Sequence, residues 1–272
     1  MTAQHLLGSA RSFLFVPANR PDRFDKAAAA GADVVVVDLE DAVAATEKDH
    51  AREHLRVWLR AGNTAMVRIN GRDTPWYEPD LELVAECGAV TMVAKAEDPA
   101  ELRRIADLRG GLTVVPLVET AAGILGAAAI CAAPGVVRCA FGSIDLATEL
   151  GIDPGDREAL LWARSVLVMA SRAASIAPPV DGVTTALRDE DTLTADVTYA
   201  RRLGMTGKLC IHPSQIHPVH AALAPSAAEL DWARRILDLA RPDGSATAVD
   251  GQMIDAPVVE RARRILAGAQ SC

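Results

Sequence analysis

Apolar and polar stretches alternate along this chain at a nearly regular interval. Short runs such as residues 34–38 and 90–93 are apolar almost throughout, which is typical of strands buried on both faces. Longer segments between them carry apolar residues at helical spacing, as at Ala51, Leu55 and Trp58. The predicted strands cover residues 12–16, 34–38, 65–69, 90–93, 113–118, 137–141, 179–180 (the start of a short strand) and 207–211.

Predicted helices fill the intervals between these strands. One begins after a capping residue, Thr46, and ends at Gly62, and the others cover residues 21–30, 79–87, 99–108, 121–132, 157–176 and 191–203. This alternation predicts an α/β fold, a closed (βα)8 TIM barrel. An open doubly wound sheet is the alternative, although a dinucleotide-binding form is disfavoured because no G-x-G-x-x-G follows the first strand.

The chain continues beyond the eighth predicted strand. We expect the barrel to occupy residues 1–224 and a C-terminal helical extension to occupy residues 225–272. Within the extension, helices are predicted at 226–240 and 256–267, joined by a polar connector at 241–252. Such an extension is expected to fold over the barrel mouth or to reach a neighbouring subunit.

Composition narrows the class of protein. The 272 residues are 50% hydrophobic, which suits one barrel, since barrels typically need about 250 residues. The net charge of −8 argues against general nucleic-acid binding. The five cysteines are scattered without a C-x-x-C pair, which indicates reduced thiols in a cytoplasmic protein. The sequence predicts no signal peptide and no membrane span.

Charged residues gather at or just past the ends of the predicted strands, where a barrel keeps its chemistry. These residues are Arg20, Asp38, Glu40, Asp41, Arg68, Lys95, Glu97, Glu119, Asp145, Asp181 and Lys208. One interpretation is a set of salt bridges that closes the end of the barrel. The other is a cation site for an enzyme.

Glu119 and Asp145 are the candidate metal ligands. Each follows a predicted strand, and two carboxylates with water and substrate oxygens form a usual octahedral site for Mg²⁺. Arg68 ends the third strand, and its guanidinium can hold two oxygens of a carboxylate or an enolate. Arg68 can also neutralise Glu40 or Asp41, and the two roles are compatible.

Gly142 lies between the sixth strand and Asp145. A glycine permits close approach to the backbone, so the amides of Ser143, Ile144 and Asp145 are candidates to bind a substrate carboxylate.

Seven segments together carry a resemblance. They are residues 11–18, 37–43 with Lys48 and Arg52 following, 67–70, 116–120, 141–146, 208–216 and 250–257. In these segments the chain resembles the citrate lyase β-subunit family, within the larger group of divalent-metal aldolases and acyl-CoA lyases.

The resemblance implies a Mg²⁺-dependent carbon–carbon lyase. Its substrate would be a β-hydroxyacyl thioester such as citryl-, malyl- or citramalyl-CoA, cleaved to an acyl-CoA and a 2-oxo acid. Glu119 and Asp145 would hold the metal, and Arg68 would steady the thioester enolate. Asp255 from an adjacent subunit of a homotrimer, or of a hexamer, is the family's candidate proton carrier.

Further residues follow from the same resemblance. The candidates beside the path of the CoA phosphates are Arg20, Arg23, Lys26 and Lys208. Glu40 and Asp41 are further catalytic candidates, and Gly142, Ser143, Ile144 and Glu119 are expected to contact substrate. Two positions depart from many relatives: Ala94 replaces a proline and Ile144 a glutamate, and the second change is expected to alter substrate preference.

Three other functions stay open. A thioesterase could hydrolyse the same esters at the same site, with Asp255 as the base. The chain could also be one component of a citrate lyase complex and act on an acyl-carrier protein. The last is a non-catalytic binding protein built on an enzyme scaffold.

Overall fold

The strand-like runs of the sequence pair side by side in chain order. The computed structural model describes residues 3–108, 110–240, 246–249 and 252–270. It contains two compact units, residues 1–222 and 223–272. In the described part of the first unit, eight parallel strands close a barrel, which confirms the predicted TIM-barrel fold.

The strands and helices of the barrel alternate after an initial helix. The strands are β1 (Ser12–Pro17), β2 (Val34–Asp38), β3 (Met66–Ile69), β4 (Val90–Val93), β5 (Val114–Val118), β6 (Ala140–Phe141), β7 (Val180–Asp181) and β8 (Gly207–Cys210). The helices are α1 (Ala3–Ser9), α2 (Phe24–Ala28), α3 (Lys48–Arg60), α4 (Tyr77–Cys87), α5 (Pro99–Ala106), α6 (Ala121–Leu125), α7 (Ala127–Cys131), α8 (Ser143–Leu150), α9 (Leu161–Ala173), α10 (Glu190–Leu203) and α11 (Ile216–Leu223).

Alternate strand residues fill the barrel interior. Met66 of β3 and Leu117 of β5 belong to one buried core cluster. Because side chains on a strand repeat every two residues, Arg68 and Glu119 extend from the same side one layer further along. That layer is the C-terminal mouth of the barrel, where enzymes of this fold place their active sites.

The opposite end of the barrel is closed around Arg138. Its guanidinium is fully buried and donates to the carbonyls of Leu7 at 2.8 Å, Ala10 at 2.6 Å and Pro178 at 2.6 Å. It also donates to the hydroxyl of Thr206 at 2.9 Å. Burial lowers the pKa of Arg138 to about 10. These acceptors satisfy the buried donors and join segments from both ends of the barrel sequence.

The second unit has its own small core. It contains α12 (Ala227–Leu239), a two-stranded antiparallel sheet of β9 (Thr247–Val249) and β10 (Gln252–Ile254), and α13 (Ala256–Gln270). Ser226 begins α12 with a capping box in which it exchanges hydrogen bonds with Glu229. Ala233, Ile236 and Ala262 are buried between the two helices. The predicted connector 241–252 therefore contains strand residues, and 241–245 and 250–251 lie outside the described residues.

Several predicted boundaries were wrong. The helix predicted at 121–132 divides into α6 and α7 at Gly126, and the strand predicted at 137–141 shortens to β6. Thr46 does not cap α3, because it lies in a 3-10 turn at Ala45–Glu47. The structure also adds α1, α8 and α11, which the sequence pattern did not predict.

Two further sequence predictions concern the state of the cysteines and membrane-spanning helices. Cys87, Cys131, Cys139 and Cys210 are free thiols, and Cys272 lies outside the described residues. Within the described ranges, no helix has both the length and the apolar character that a bilayer span requires.

Candidate active site

A cavity of about 430 Å³ opens at the C-terminal mouth of the barrel. Its charged lining consists of Asp38, Asp41, Arg68, Glu119 and Asp145. The three residues that the sequence placed at separate strand ends, Arg68, Glu119 and Asp145, therefore meet in one cavity. We call this space the mouth cavity.

Arg68 is bound on two sides by carboxylates. Its Nε and Nη2 atoms donate to Asp38 Oδ1 and Oδ2 at 2.7 and 2.6 Å, a bidentate pair. Its Nη1 lies 2.8 Å from Glu40 Oε2 and 3.7 Å from Asp41 Oδ2. Burial opposes the charge of Arg68, but Asp38 and Glu40 outweigh burial and raise its pKa. Arg68 is thus a fixed cation, and its main partner is Asp38, the residue directly opposite on β2.

Glu119 concentrates the negative charge of the mouth cavity. It is only 2% exposed, and its Oε1 accepts the backbone N–H of Lys95 at 2.7 Å. Lys95 has a φ of 50°, a left-handed conformation that is uncommon outside glycine. Burial raises the pKa of Glu119 well above its usual value, and the charges of Glu40 and Asp145 raise it further.

Glu40 is a buried carboxyl group beside this centre. It is 6% exposed, and its Oε1 accepts from Nζ of Lys95 at 3.3 Å. Burial raises the pKa of Glu40, while Arg68 acts in the opposite direction. A buried carboxyl group with a raised pKa suits proton transfer.

Lys48 holds the backbone that carries Glu40. Its ammonium group is buried and donates to the carbonyls of Leu39 at 2.6 Å and Glu40 at 2.7 Å. It also donates to Asn70 Oδ1 at 2.7 Å. Burial lowers the pKa of Lys48. The sequence singled out Lys48 only as part of a resemblance, because two of its three acceptors are backbone carbonyls, which carry no sequence signal.

Gly142 makes room for the Glu119 side chain. A Cβ at this position would lie 2.3 Å from the Glu119 Cβ, which no packing tolerates. Its φ of −91° is ordinary, so space rather than backbone conformation requires the glycine. Gly142 leads directly into α8, whose first residues Ser143 and Ile144 line the cavity.

The start of α8 is suited to an anion. The first N–H groups of a helix have no acceptor within the helix, and the helix dipole places partial positive charge there. Ser143, Ile144 and Asp145 are the residues that carry those groups at the cavity wall. The binding of a substrate carboxylate by these amides stays a prediction, and their place at the cavity wall is compatible with it.

The basic residues proposed for CoA phosphates divide into two groups. Arg20, Arg23 and Lys26 are exposed on the segment that follows β1, and Arg20 forms an ion pair with Asp22 at 2.9 Å. The prediction for Lys208 was wrong. It is 1% exposed, because its neighbour Leu209 fills the interior and Lys208 therefore points to the helix layer.

Lys208 has a different partner from the one predicted. Its Nζ donates to Asp181 Oδ2 at 2.8 Å, and Asp181 Oδ1 accepts from Arg164 Nε of α9 at 2.8 Å. This buried group, the β7–β8 ion cluster, comprises Asp181, Lys208 and Arg164. It stabilises the packing of two strands against a helix and does not line the mouth cavity.

Asp255 belongs to the second unit. It precedes α13, and its Oδ1 accepts the N–H of Val258 at 3.2 Å, which caps the helix. Asp250 and Gly251, in the same sequence segment, lie outside the described residues.

Glu119 and Asp145 fit a magnesium ion. The described residues contain no group of three or more His, Cys, Asp or Glu side chains placed to hold a metal. The protein would therefore supply two carboxylates, and water and substrate oxygens would complete an octahedron. Burial and, after it, the charges of Glu40 and Asp145 raise the pKa of Glu119, and a cation held by Glu119 and Asp145 would relieve the repulsion between these two carboxylates.

The fold and the site define a TIM-barrel protein with a cluster of carboxylates at its C-terminal mouth, the usual place of the active site in enzymes of this fold. A family model for HpcH/HpaI aldolase/citrate lyase matches residues 11–213, and the chain belongs to this family. A second model, for a carbon–carbon bond lyase of the TIM-barrel fold, matches residues 164–271. These matches confirm the predicted family and the predicted class, a carbon–carbon lyase.

Individual relatives cover almost the whole chain. A citrate lyase subunit beta-like protein of Mycobacterium tuberculosis is 38% identical over 269 residues, with 96% of each chain covered. A (3S)-malyl-CoA thioesterase of Cereibacter sphaeroides is 36% identical over 271 residues, covering 96% of this chain and 95% of the relative. The solved structure of CitE from M. tuberculosis in complex with magnesium, acetoacetate and coenzyme A is 37% identical with a TM-score of 0.84, covering 97% of this chain and 99% of the other.

Proposed function

We propose that this protein is a Mg²⁺-dependent lyase that cleaves a β-hydroxyacyl-CoA thioester to an acyl-CoA and a 2-oxo acid. The observation that carries the proposal is the meeting of Glu119, Asp145 and Arg68 in the mouth cavity. The similar CitE structure, which contains magnesium, acetoacetate and coenzyme A, supports the same choice of metal and ligand.

Each residue has a separate task in this reaction. Glu119 and Asp145 hold the metal, and a bound Mg²⁺ ion supplies a Lewis acid for the oxygens of the hydroxy-acid half. Cleavage breaks the bond between the hydroxyl-bearing carbon and the α-carbon of the thioester, so negative charge develops on the thioester oxygen. Arg68 stabilises that charge, an effect worth about 10²–10³ in rate for one preorganised donor.

Two protons must move. Glu40, buried and with a raised pKa, is the candidate that accepts the proton of the substrate hydroxyl. Asp41, exposed at the cavity edge, is the second candidate for this step. Asp255 of an adjacent subunit donates a proton to the α-carbon of the departing acyl thioester.

The assembly follows from the role of Asp255. We infer a homotrimer in which residues 225–272 of one subunit complete the active site of its neighbour. Arg20, Arg23 and Lys26, exposed beyond β1, lie along the path of the CoA phosphates. A cytoplasmic location is in keeping with the free thiols.

A product assay tests the proposed reaction. Purified protein is incubated with malyl-, citramalyl- and citryl-CoA, with and without Mg²⁺, and products are separated by chromatography. The expected result is metal-dependent release of acetyl-CoA together with a 2-oxo acid. Absence of these products from every ester contradicts the proposal.

A thioesterase is the second candidate. It is favoured by the relative named (3S)-malyl-CoA thioesterase, which is 36% identical over nearly the whole chain. In that reaction water attacks the thioester carbonyl, with Asp255 as the base. The same assay distinguishes the two reactions, because hydrolysis yields free CoA and an intact hydroxy acid.

A carrier-protein substrate is a third candidate. A citrate lyase subunit beta of Leuconostoc mesenteroides is 34% identical over 278 residues. Offering the same acyl group on an acyl-carrier protein and on CoA tests this candidate, because a carrier-specific enzyme cleaves only the first.

A further inference from the structure

Beyond some strand ends the lining of the mouth cavity is charged, and beyond others it is aliphatic. Arg68 lies in β3, and Glu119 and Asp145 follow β5 and β6, whereas the segments beyond β7 and β8 contribute Val183 and Ile211. Ile144, at the start of α8, adds a third aliphatic side chain. Val183 and Ile144 are half-buried, and Ile211 is 38% exposed, so all three present apolar surface to a ligand. We call these three residues the aliphatic wall.

A buried glutamine fixes part of the aliphatic wall. Gln215 is 2% exposed, and its Oε1 accepts the N–H of Ile211 at 2.8 Å. Its Nε2 donates to the carbonyl of Thr184, the residue after Val183, at 2.9 Å. The backbone segments that carry Val183 and Ile211 are therefore tied together, and the surface they form is preorganised.

The mouth cavity has few groups that could bind a second substrate carboxylate. Among the described residues that line it, Arg68 is the only cation. Its guanidinium pairs with Asp38 and Glu40, and in the proposed reaction it acts on the thioester oxygen, so no cation of the lining remains for a second carboxylate. One carboxylate of a 2-oxo acid has its partners in the metal site and the start of α8. A further carboxylate would contact apolar side chains or lie near like charges, and burying an unpaired charge is costly.

On these grounds we propose that the aliphatic wall selects thioesters whose hydroxyl-bearing carbon carries an alkyl group in place of a second carboxylate. This inference rests on the proposed function and specifies its substrate class. The product would be a 2-oxo acid with a methyl or ethyl group, such as pyruvate or 2-oxobutyrate.

Ile144 also sets the length of that alkyl group. A neighbouring cavity of about 530 Å³ is lined by Ile144 and Val183 together with polar residues such as Arg157 and Thr184. Because Ile144 and Val183 line both cavities, they form the partition between them. Shortening Ile144 would extend the mouth cavity and admit a longer alkyl chain.

The test compares four CoA thioesters that release glyoxylate, pyruvate, 2-oxobutyrate or oxaloacetate. We expect kcat/KM for the pyruvate-releasing ester to exceed that for the oxaloacetate-releasing ester by about 100-fold or more, since a buried polar mismatch discriminates strongly. Ile144→Ala should move the preference towards 2-oxobutyrate or a longer acid by about 10-fold, the effect of one methylene in an apolar pocket. Leu150→Ala, on the exposed end of α8, should leave the preference unchanged.

Binding provides a readout that does not depend on turnover. Calorimetry with Mg²⁺ should give tighter binding of pyruvate and 2-oxobutyrate than of oxaloacetate, with the order altered by Ile144→Ala. If no ester is cleaved but this order holds, the proposed function fails and the selectivity of the wall stands. If oxaloacetate binds as tightly and its ester is cleaved as well as the others, the inference is overturned.

Discussion

Asp145 is the residue at which metal binding is best tested. Replacing its carboxylate by an amide in Asp145→Asn keeps the size but removes one of two negative charges at the proposed cation site. We expect kcat/KM to fall by about 10²-fold or more, in line with the loss of one electrostatic stabiliser. Mg²⁺ binding, measured by calorimetry, should weaken in parallel.

Asp191→Asn is the matched control for that variant. Asp191 is exposed in the first turn of α10 and lies outside the cavity. The variant Asp191→Asn should retain wild-type activity and metal affinity. Full activity in Asp145→Asn would mean that the metal site has been misplaced.

Gly142 tests the position of the Glu119 side chain. An alanine here is compatible with the backbone, but its Cβ would meet Glu119 at 2.3 Å and displace the carboxylate. We expect Gly142→Ala to lose at least about 10-fold in kcat/KM, since small displacements of catalytic groups have large effects on rate.

Gly8→Ala is the control for this contact. A Cβ at Gly8 would lie 3.8 Å from Ala177, an ordinary van der Waals distance, at the other end of the barrel. The activity of Gly8→Ala should be unchanged. Equal losses in the two variants would indicate general destabilisation and contradict a specific effect on Glu119.

Residue positions were easier to predict than side-chain directions. The apolar runs placed Glu119, Asp145 and Arg68 at strand ends, and the structure brings them into one cavity. The predicted direction of the Lys208 side chain was wrong. β8 is buried on both faces, so the sequence of this strand has no alternation of polar and apolar residues that would distinguish interior from exterior positions. Asp38 was not recognised as the main partner of Arg68, since that pairing depends on the register of β2 against β3.

At the scale of elements, the β7–β8 ion cluster links two strands to α9. Burial alone would raise the pKa of Asp181, but Lys208 and Arg164 outweigh burial and hold it below 3.8. The stabilisation from this low pKa is therefore present above pH 3.8 and is lost as the pH falls through the lower value of the folded protein.

The variant Asp181→Asn tests this dependence of stability on pH. At pH 7 it should lower the free energy of unfolding by about 3–5 kcal/mol, because two buried cations lose their anion. The difference from wild type should shrink as the pH falls below 3.8, and urea unfolding at a series of pH values measures it. Asp107→Asn, exposed at the end of α5, should give no comparable difference. If the difference in the free energy of unfolding between Asp181→Asn and wild type stayed constant with pH, it would contradict an ionised Asp181 paired with Lys208 and Arg164.

Strands were predicted more accurately than the helices near the site. β2 and β4 have the predicted bounds, since short runs that are apolar almost throughout identify buried strands. α8 was missed because its N-cap is Gly142, which offers no capping side chain, and because it is only 8 residues long. A helix of that length is determined by tertiary packing more than by local sequence.

At the scale of the whole molecule, the origin of Asp255 can be tested by mixing inactive variants. Asp145→Asn lacks a metal ligand, and Asp255→Asn lacks the proposed proton carrier. If each site combines Asp145 of one subunit with Asp255 of its neighbour, mixed oligomers contain some complete sites. Refolding or coexpressing the two variants together should therefore restore a measurable fraction of lyase activity.

The controls for mixing are the separate variants, carried through the same procedure. Each alone should remain inactive. Native mass spectrometry of differently tagged subunits establishes that mixed oligomers have formed. No recovery in such mixtures would contradict a site shared between subunits.

The contacts of Arg138 have a consequence for biosynthesis. The guanidinium binds carbonyls near residues 7 and 10 and a hydroxyl at residue 206, so its acceptors emerge from the ribosome far apart in time. Until Thr206 and β8 are available, this buried cation lacks one of its four acceptors and the ring of strands stays open. Nascent chains that stop before residue 206 should therefore remain protease-sensitive, because the barrel can close only after β8 has left the ribosome.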